Sequence, residues 1–301
     1  MSRNVTVGLD GSPESRAAAE WAAREAQLRG LPLKVVHVWE PVPEPMAQAP
    51  LLGAETQQHW SERIPREAVE GIALRHPGVQ VDRAQLSGRP ADVLVEAAKE
   101  ADVLVLGSRG LSGIGGFLVG SVGLAVVAHT ETPVVLVRAG EQAADEHELD
   151  PAGIPSAAAP YRPVVLGLDP VAPDESVIGF AFEAAARRSA ALRVVHGWNL
   201  PPYYTFSLPA DLELHDEIAR AQSAALAEAV RPWRQKYPDV HVTQESRSGN
   251  AAHHLVDAAG GASLVVVGRK IRRNPLGAHI GPVAHAVLHH AAAPVAVVAH
   301  H

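Results

Sequence analysis

One pattern runs through this chain twice, in order and nearly in register. Val5-Thr6-Val7-Gly8-Leu9-Asp10 returns as Val164-Val165-Leu166-Gly167-Leu168-Asp169, and Val35-Val36-His37-Val38-Trp39 as Val194-Val195-His196-Gly197-Trp198, both displaced by 159 positions. Farther on, Ser87-Gly88 is answered by Ser248-Gly249, Val105-Leu106-Gly107 by Val266-Val267-Gly268, and Thr132-Pro133-Val134-Val135 by Ala293-Pro294-Val295-Ala296, now displaced by 161. A register kept over so many landmarks, with one two-residue change, is the mark of a duplicated domain. The sequence therefore predicts a first domain over 1–139, a linker over 140–160 and a second domain over 161–301. The linker reading rests on its acidic residues (Glu141, Asp145, Glu146, Glu148, Asp150), its alanines and its prolines, which show no apolar period and are expected to be exposed.

Within each half, strand-like and helix-like stretches alternate. In the first, the Val/Leu-rich runs 3–9, 32–39, 79–86, 102–107 and 133–138 predict strands, and 13–29, 55–75, 90–100 and 120–130 have helical spacing. Ser12 before Pro13 reads as a cap and first-turn pair, and Gly30 as a helix terminator. Val103-Leu104-Val105-Leu106 and Leu264-Val265-Val266-Val267 are apolar without alternation, as central parallel strands covered on both faces must be. Each half is thus expected to be α/β, a Rossmann-like five-stranded, mostly parallel sheet flanked by helices. Such sheets take ligands beyond the carboxyl ends of their strands, where strand order reverses.

Composition narrows the function classes. A net charge of −7 argues against nucleic acid as the main partner. The absence of cysteine removes disulfides and thiolate metal sites and suits a reducing compartment, with cytoplasm the expectation. No apolar run reaches the roughly 20 residues that span a bilayer, and Met1-Ser2-Arg3-Asn4 leads straight into a strand, so neither membrane insertion nor secretion is expected.

The chemistry concentrates after the fourth strand of the first half. From Gly107 to Ser121 there are six glycines in fifteen residues, and Gly120-Ser121 opens the next helix. Glycine lets peptide N–H groups approach an anion closely, and a helix N-terminus adds free amides and a favourable dipole. The spacing Gly107-x2-Gly110-x9-Gly120-Ser121 fits, without a gap, the G-x2-G-x9-G-[S/T] signature of ATP-binding universal stress proteins. With Asp10 after strand one, His37-Val38 in strand two and the terminal Pro-Val-Val-Leu-Val strand, the chain resembles a tandem-domain universal stress protein of the ATP-binding, actinobacterial type.

The resemblance implies an adenine nucleotide alpha hydrolase-like fold in both halves and ATP, with Mg2+, as ligand. It implies that Leu9, Asp10 and Val38 surround adenine and ribose, that Leu106, Gly107, Arg109 and Gly110 follow along the cleft, and that Gly120, Ser121 and Val122 hold the phosphates. It further implies a homodimer, a stress-response role and an unidentified regulatory protein partner. The residues also allow a plainer reading of Asp10 as a turn or helix-capping group beside Gly11-Ser12-Pro13. His37 and His196, inside apolar strands, read as buried and hydrogen-bonded rather than catalytic.

The second half departs from the signature. Gly268 and Gly281 stand for Gly107 and Gly120, and Leu168 and Asp169 persist, but Ile271 replaces Gly110 and Pro282 replaces Ser121. If the turn requires left-handed φ, Ile271 costs about 1–2 kcal/mol, or the loop takes another path. Pro282 removes a hydroxyl and an amide donor from the phosphate seat. Arg269, Lys270, Arg272 and Arg273 supply four cations, which could reach phosphates by side chain but are read in preference as solvated loop residues. Weaker ATP binding is therefore expected in the second half, with Asp169, Gly268 and Gly281 as its candidate contacts.

Other features carry less. His279-Ile280-Gly281-Pro282 resembles a nucleotidylyl-transferase motif but stands before the last helix rather than after strand one. There is no G-x4-G-K-[S/T] loop for rapid hydrolysis. His285 and His289 share a helix face without a third metal ligand in view. The proline-rich stretches Pro41–Pro50 and Leu200–Pro209 read as lids or plain crossovers, and the apolar last strands of the two halves as a natural mutual pairing. Three functions stay open: an ATP-binding regulator with at most slow hydrolysis, an adenylating or phosphoryl-transfer enzyme, and an interaction protein that binds no nucleotide.

Overall fold

The computed structural model describes residues 3–40, 54–108, 120–200, 212–271 and 280–301, with side chains of 54–62 and 212–214 outside the description. The chain divides into two compact units, Met1–Gln142 and Ala143–His301. Each is an α/β layer structure of the kind the alternating pattern predicts.

In the first unit the elements are β1 (Val5–Gly8), α1 (Pro13–Arg29), β2 (Leu33–Trp39), α2 (Ala54–Arg75), β3 (Val81–Ser87), α3 (Pro90–Ala98), β4 (Val103–Ser108), α4 (Ser121–His129) and β5 (Val134–Arg138). The strands lie in the order β3-β2-β1-β4-β5. Every described pairing among them is parallel, for example Val7 opposite Val35 and Val105. The central strands have no solvated face: Val5, Val7, Val103, Leu104 and Val105 are fully buried, as helices on both sides of a parallel sheet require. Strand order reverses between β1 and β4, so the crevice beyond their carboxyl ends is where this topology leaves room for a ligand.

α1 starts and stops on local chemistry. The Ser12 hydroxyl accepts from Ser15 N at 3.1 Å, Pro13 occupies the first turn where its missing N–H is not needed, and Gly30 ends the helix at φ 63°.

The second unit repeats the plan with β6 (Val164–Gly167), α5 (Glu175–Arg188), β7 (Leu192–Trp198), α6 (Leu212–Lys236), β8 (Val242–Ser248), α7 (Ala251–Ala259), β9 (Leu264–Lys270), α8 (Pro282–His290) and β10 (Val295–His300). Its strand order is β8-β7-β6-β9-β10, again with parallel pairings.

The stretch expected to be an exposed linker is structured in part. Residues Ala143–Glu146 form a 3-10 helix, Arg162 N donates to Glu146 O at 2.9 Å, and the His147 ring lies 4.0 Å from that of Tyr161. Glu146 and His147 are 2% and 6% exposed, so the acidic composition misleads at these two residues. The physical reason is that Tyr161 and Arg162, just beyond the stretch, give it ring and backbone partners.

Candidate functional site

A cleft of about 270 Å3 opens at the switch point of the first unit. Six elements build it. The end of β1 contributes Gly8, Leu9 and Asp10, the start of α1 contributes Ser12, Glu14 and Ser15, and β4 with the N-terminus of α4 contributes Leu106, Gly107, Gly120, Ser121, Val122 and Gly123. Val36 and Val38 of β2 and Pro90 and Leu94 of α3 complete the wall. Eight residues singled out from the sequence therefore meet at one place: Leu9, Asp10, Val38, Leu106, Gly107, Gly120, Ser121 and Val122. Arg109 and Gly110 lie outside the described residues.

The α4 end of the cleft is a helix N-terminus without a cap. Gly120 occupies the N-cap position with φ −62° and ψ 154° and has no side chain to offer, and Leu124 N is the first amide that bonds back, to Gly120 O at 3.0 Å. The amides of Ser121, Val122 and Gly123 therefore lack intrahelical acceptors, which is the arrangement that favours an anion. Ser121 is exposed, and its hydroxyl has no partner among the described residues.

At the other end, Asp10 is held by its own turn. Its Oδ1 accepts from Ser12 N at 3.0 Å and from Ser12 Oγ at 2.5 Å, while Asp10 N donates to Ser15 Oγ at 3.3 Å. Partial burial pushes the carboxyl up, but the Ser12 and Ser15 hydrogen bonds outweigh it and keep Asp10 below the usual carboxylate range. The turn role weighed from the sequence and a place in the cleft are thus combined in one residue. The second carboxylate oxygen takes part in none of these described bonds.

The two glycines that frame the loop differ in kind. A Cβ at Gly107 would lie 2.5 Å from the Glu14 carbonyl carbon and 2.6 Å from Ser15 N, so glycine is required for β4 to pack against the first turn of α1. At Gly120 a Cβ would meet none of the described residues within 4 Å, and φ is ordinary, so nothing among them demands glycine there. Sequence reasoning assigned Gly107 to ligand approach and missed Ser15, Glu14 and Leu94. The Ser12-Pro13-Glu14-Ser15 run, treated only as a helix start, was the available signal for the first two.

His37 and His196 are each 7% exposed, with Nδ1 2.7 Å from Leu9 O and 3.1 Å from Leu168 O respectively, as expected of structural histidines. His196 Nε2 also lies 3.0 Å from Gln222 Oε1.

The second unit has a cleft of about 670 Å3 at the equivalent place, lined by Leu168, Asp169, Asp174, Val177, His196, Trp198, Gln222, Gly268, Lys270, Val283, Ala284 and His300 among others. Asp169 and Gly268 are thus present. Gly281 is not part of that lining but caps α8, whose first residue is Pro282.

Ile271 is not forced into left-handed φ, because among the described residues Ser189 alone of the non-glycines is positive. The chain takes the other path. β9 continues to Lys270 opposite His300, and Ile271 N donates to His300 O at 2.6 Å. This extension corrects a second reading: Arg269 is a strand residue 5% exposed, not a solvated loop cation, while Lys270 is exposed. Arg272 and Arg273 lie outside the described residues.

The helix after β6 also starts later. Asp174 caps α5, accepting from Ser176 N at 2.9 Å and Val177 N at 3.4 Å, and its Oδ2 lies 3.7 Å from His300 Nδ1. Partial burial pushes Asp174 up, yet Ser176 and Val177, with the nearby His300, hold it below the usual carboxylate range. The His285 and His289 rings lie 4.4 Å apart at a tilt of 43°, and no cluster of three metal-ligating side chains is present among the described residues. Nor, among those residues, is any helix long and apolar enough to cross a membrane.

Comparison with known proteins agrees with the architecture. The chain is 34% identical over 308 residues to a universal stress protein of Mycobacterium tuberculosis, covering 97% of this chain and 96% of the relative. It is 32% identical over 304 residues to one from Mycolicibacterium smegmatis, covering 98% and 96%. A solved universal stress protein structure from Archaeoglobus fulgidus superposes with a TM-score of 0.69 over 99% of both chains at 16% identity, a likeness of fold. The universal stress protein family model matches residues 1–138 and again 160–299. With the model matched across both units and whole-length relatives above 30% identity, this chain belongs to the universal stress protein family and carries its domain twice.

Proposed function

We propose that the first unit binds ATP with Mg2+, and that the chain is a cytoplasmic, nucleotide-dependent regulator of the stress response whose hydrolysis is slow at most. The observation that carries this reading is the uncapped N-terminus of α4 opening onto a cleft whose other wall is Leu9, Val36, Val38 and Leu106. Polyphosphate suits the one end, through Ser121, Val122 and Gly123 amides and the unpartnered Ser121 hydroxyl, and a planar base suits the apolar other. Asp10 lines the same cleft, ionised, with an oxygen available to accept from a ribose hydroxyl. Mg2+ arrives with the nucleotide and neutralises the phosphate oxygens.

Slow turnover follows from the chemistry present. Among the described residues lining the cleft there is no histidine or lysine, and of its two carboxylates, Asp10 and Glu14, Asp10 has one oxygen held by Ser12. Occupancy, read by a protein partner or through homodimer assembly, is then the output.

The test is native mass spectrometry of the purified chain, followed by calorimetry with ATP and Mg2+ and a timed assay for ADP. Binding at the first unit with turnover of minutes or slower is expected. No adenine nucleotide binding under any condition sinks the proposal, and steady turnover with a co-substrate makes the protein an enzyme instead.

A further inference from the structure

The first unit has a second hollow, apart from the switch-point cleft. It is a groove of about 570 Å3 between α1 and α2, and of the residues lining the cleft it shares only Leu9 and Asp10. Ala19, Ile64, Ala68 and Ile72 give it apolar walls. Most of its charged groups are already matched. Arg75 Nε donates to Glu20 Oε1 at 3.0 Å, and His76 Nε2 lies 3.1 Å from Glu20 Oε2, so both oxygens of Glu20 are engaged. Arg63 Nε donates to Glu67 Oε1 at 2.5 Å. Arg16 differs. Its Nη2 donates to Gly11 O at 2.9 Å, which holds the guanidinium at the Gly11 end of the groove, and it has no carboxylate partner among the described residues.

The fold does not require this hollow. In the second unit Gly179 and Trp233 hold the repeat positions of Glu20 and Ile72, at displacements of 159 and 161. There a Cβ on Gly179 would stand 2.9 Å from the Trp233 ring, and that ring stacks with Phe182 and Tyr237 at centroid separations of 6.0 and 6.3 Å. Aromatic rings thus join α5 to α6 where the first unit is open. The charges change as well. Glu175 stands in the place of Arg16, and Lys236, in the place of Arg75, has its Nζ 4.9 Å from the Trp233 ring centroid.

We propose that the α1–α2 groove of the first unit is a separate binding site for a compact organic carboxylate. The open N–H groups of Arg16 donate to the carboxylate, which a guanidinium matches in shape and charge, and the apolar body of the ligand lies along Ile64, Ala68 and Ile72. Nothing in this rests on the nucleotide reading of the first unit.

The test titrates 4-phenylbutyrate, and separately its uncharged amide, into the full 15N-labelled chain by NMR. The acid is expected to bind with a Kd of about 1 mM or tighter, to shift the amides of 16–20 and 66–72, and to bind about tenfold more tightly than the amide. Arg16→Gln, at an exposed position, is expected to weaken the acid about tenfold and leave the amide unchanged. Ala68→Phe, which fills the groove with a ring as the second unit does, is expected to weaken both; should that variant fail to fold by circular dichroism, Arg16→Gln decides. Shifts confined to 36–38 and 120–124 would put the ligand in the switch-point cleft instead. That outcome, equal binding of acid and amide, indifference to Arg16→Gln, or no shift at about 10 mM acid overturns the inference. Absence of ATP binding by the parent, with the carboxylate site intact, overturns the first-unit nucleotide reading alone.

Discussion

Gly107 and Gly120 belong to one glycine signature yet answer to different forces, and substitution separates them. A methyl at Gly107 collides with the backbone of Glu14 and Ser15, which cannot rotate away as a side chain can. Gly107→Ala is therefore expected to cost about 1–3 kcal/mol of stability, the usual range for overpacking a rigid contact. At Gly120 no described residue would meet the methyl and φ is −62°, so Gly120→Ala is expected to stay within about 1 kcal/mol of the parent, the loss being only a poorer N-cap. Its methyl would instead stand at the mouth of the α4 amides and weaken ATP about tenfold, or about 1.4 kcal/mol. Urea denaturation and an ATP titration of both variants make the comparison. Normal ATP affinity in Gly120→Ala would remove the phosphate role from that position. The spacing made both glycines visible in the sequence, but spacing does not distinguish a glycine kept for packing from one kept for access.

At the scale of elements, most of the fold was legible because single elements announce themselves. The runs 103–106 of β4 and 264–267 of β9 are apolar without alternation since both faces are covered, and Ser12-Pro13 and Gly30 bracket α1 as their backbone chemistry dictates. What stayed hidden was compensation between neighbours. Asp10 and Gly30 map to Asp169 and Ser189 with the same displacement of 159, yet α1 has 17 residues and α5 has 14. Three residues moved from helix to loop, and no offset outside the segment records it. Likewise the pairing of Lys270 with His300, followed by the Ile271 N to His300 O bond, is a tertiary contact that no local signal in the sequence announces. At the sheet edge, β7 and β8 are tied by Arg193, which forks onto Glu245 with Nη2 3.0 Å from Oε2. Arg193 holds the Glu245 carboxyl below the usual carboxylate range against the opposing push of burial, and Arg247 assists. A depressed folded-state value stabilises above the unfolded one, about pH 4.3, and that stability is lost as pH falls through the folded value. Arg193→Met is thus expected to cost up to about 1 kcal/mol at pH 7, shrinking towards zero near pH 2–3. Denaturant melts at the two pH values measure it. An equal loss at both would assign the effect to packing of the arginine stem instead.

For the molecule as a whole, duplication followed by divergence of one half has a consequence that neither unit shows alone: two clefts of common origin should answer different ligands. The first has Ser12, Ser121 and three open amides, whereas the second has Asp174 in its cleft and Pro282 at the helix beside it. A ligand stabilises what it binds, by about 2.7 kcal/mol at a hundredfold excess over Kd, and hydrogen exchange maps where. With ATP and Mg2+ at that excess, amides at 8–15 and 120–124 are expected to slow roughly a hundredfold. Those at 167–177 and 281–285 should be unchanged. The assignment depends on difference between the units, not on protection as such. Equal slowing in both segments would mean that Pro282 and Asp174 do not discriminate against phosphate, and that the second half has kept the binding capacity of the first despite its altered residues.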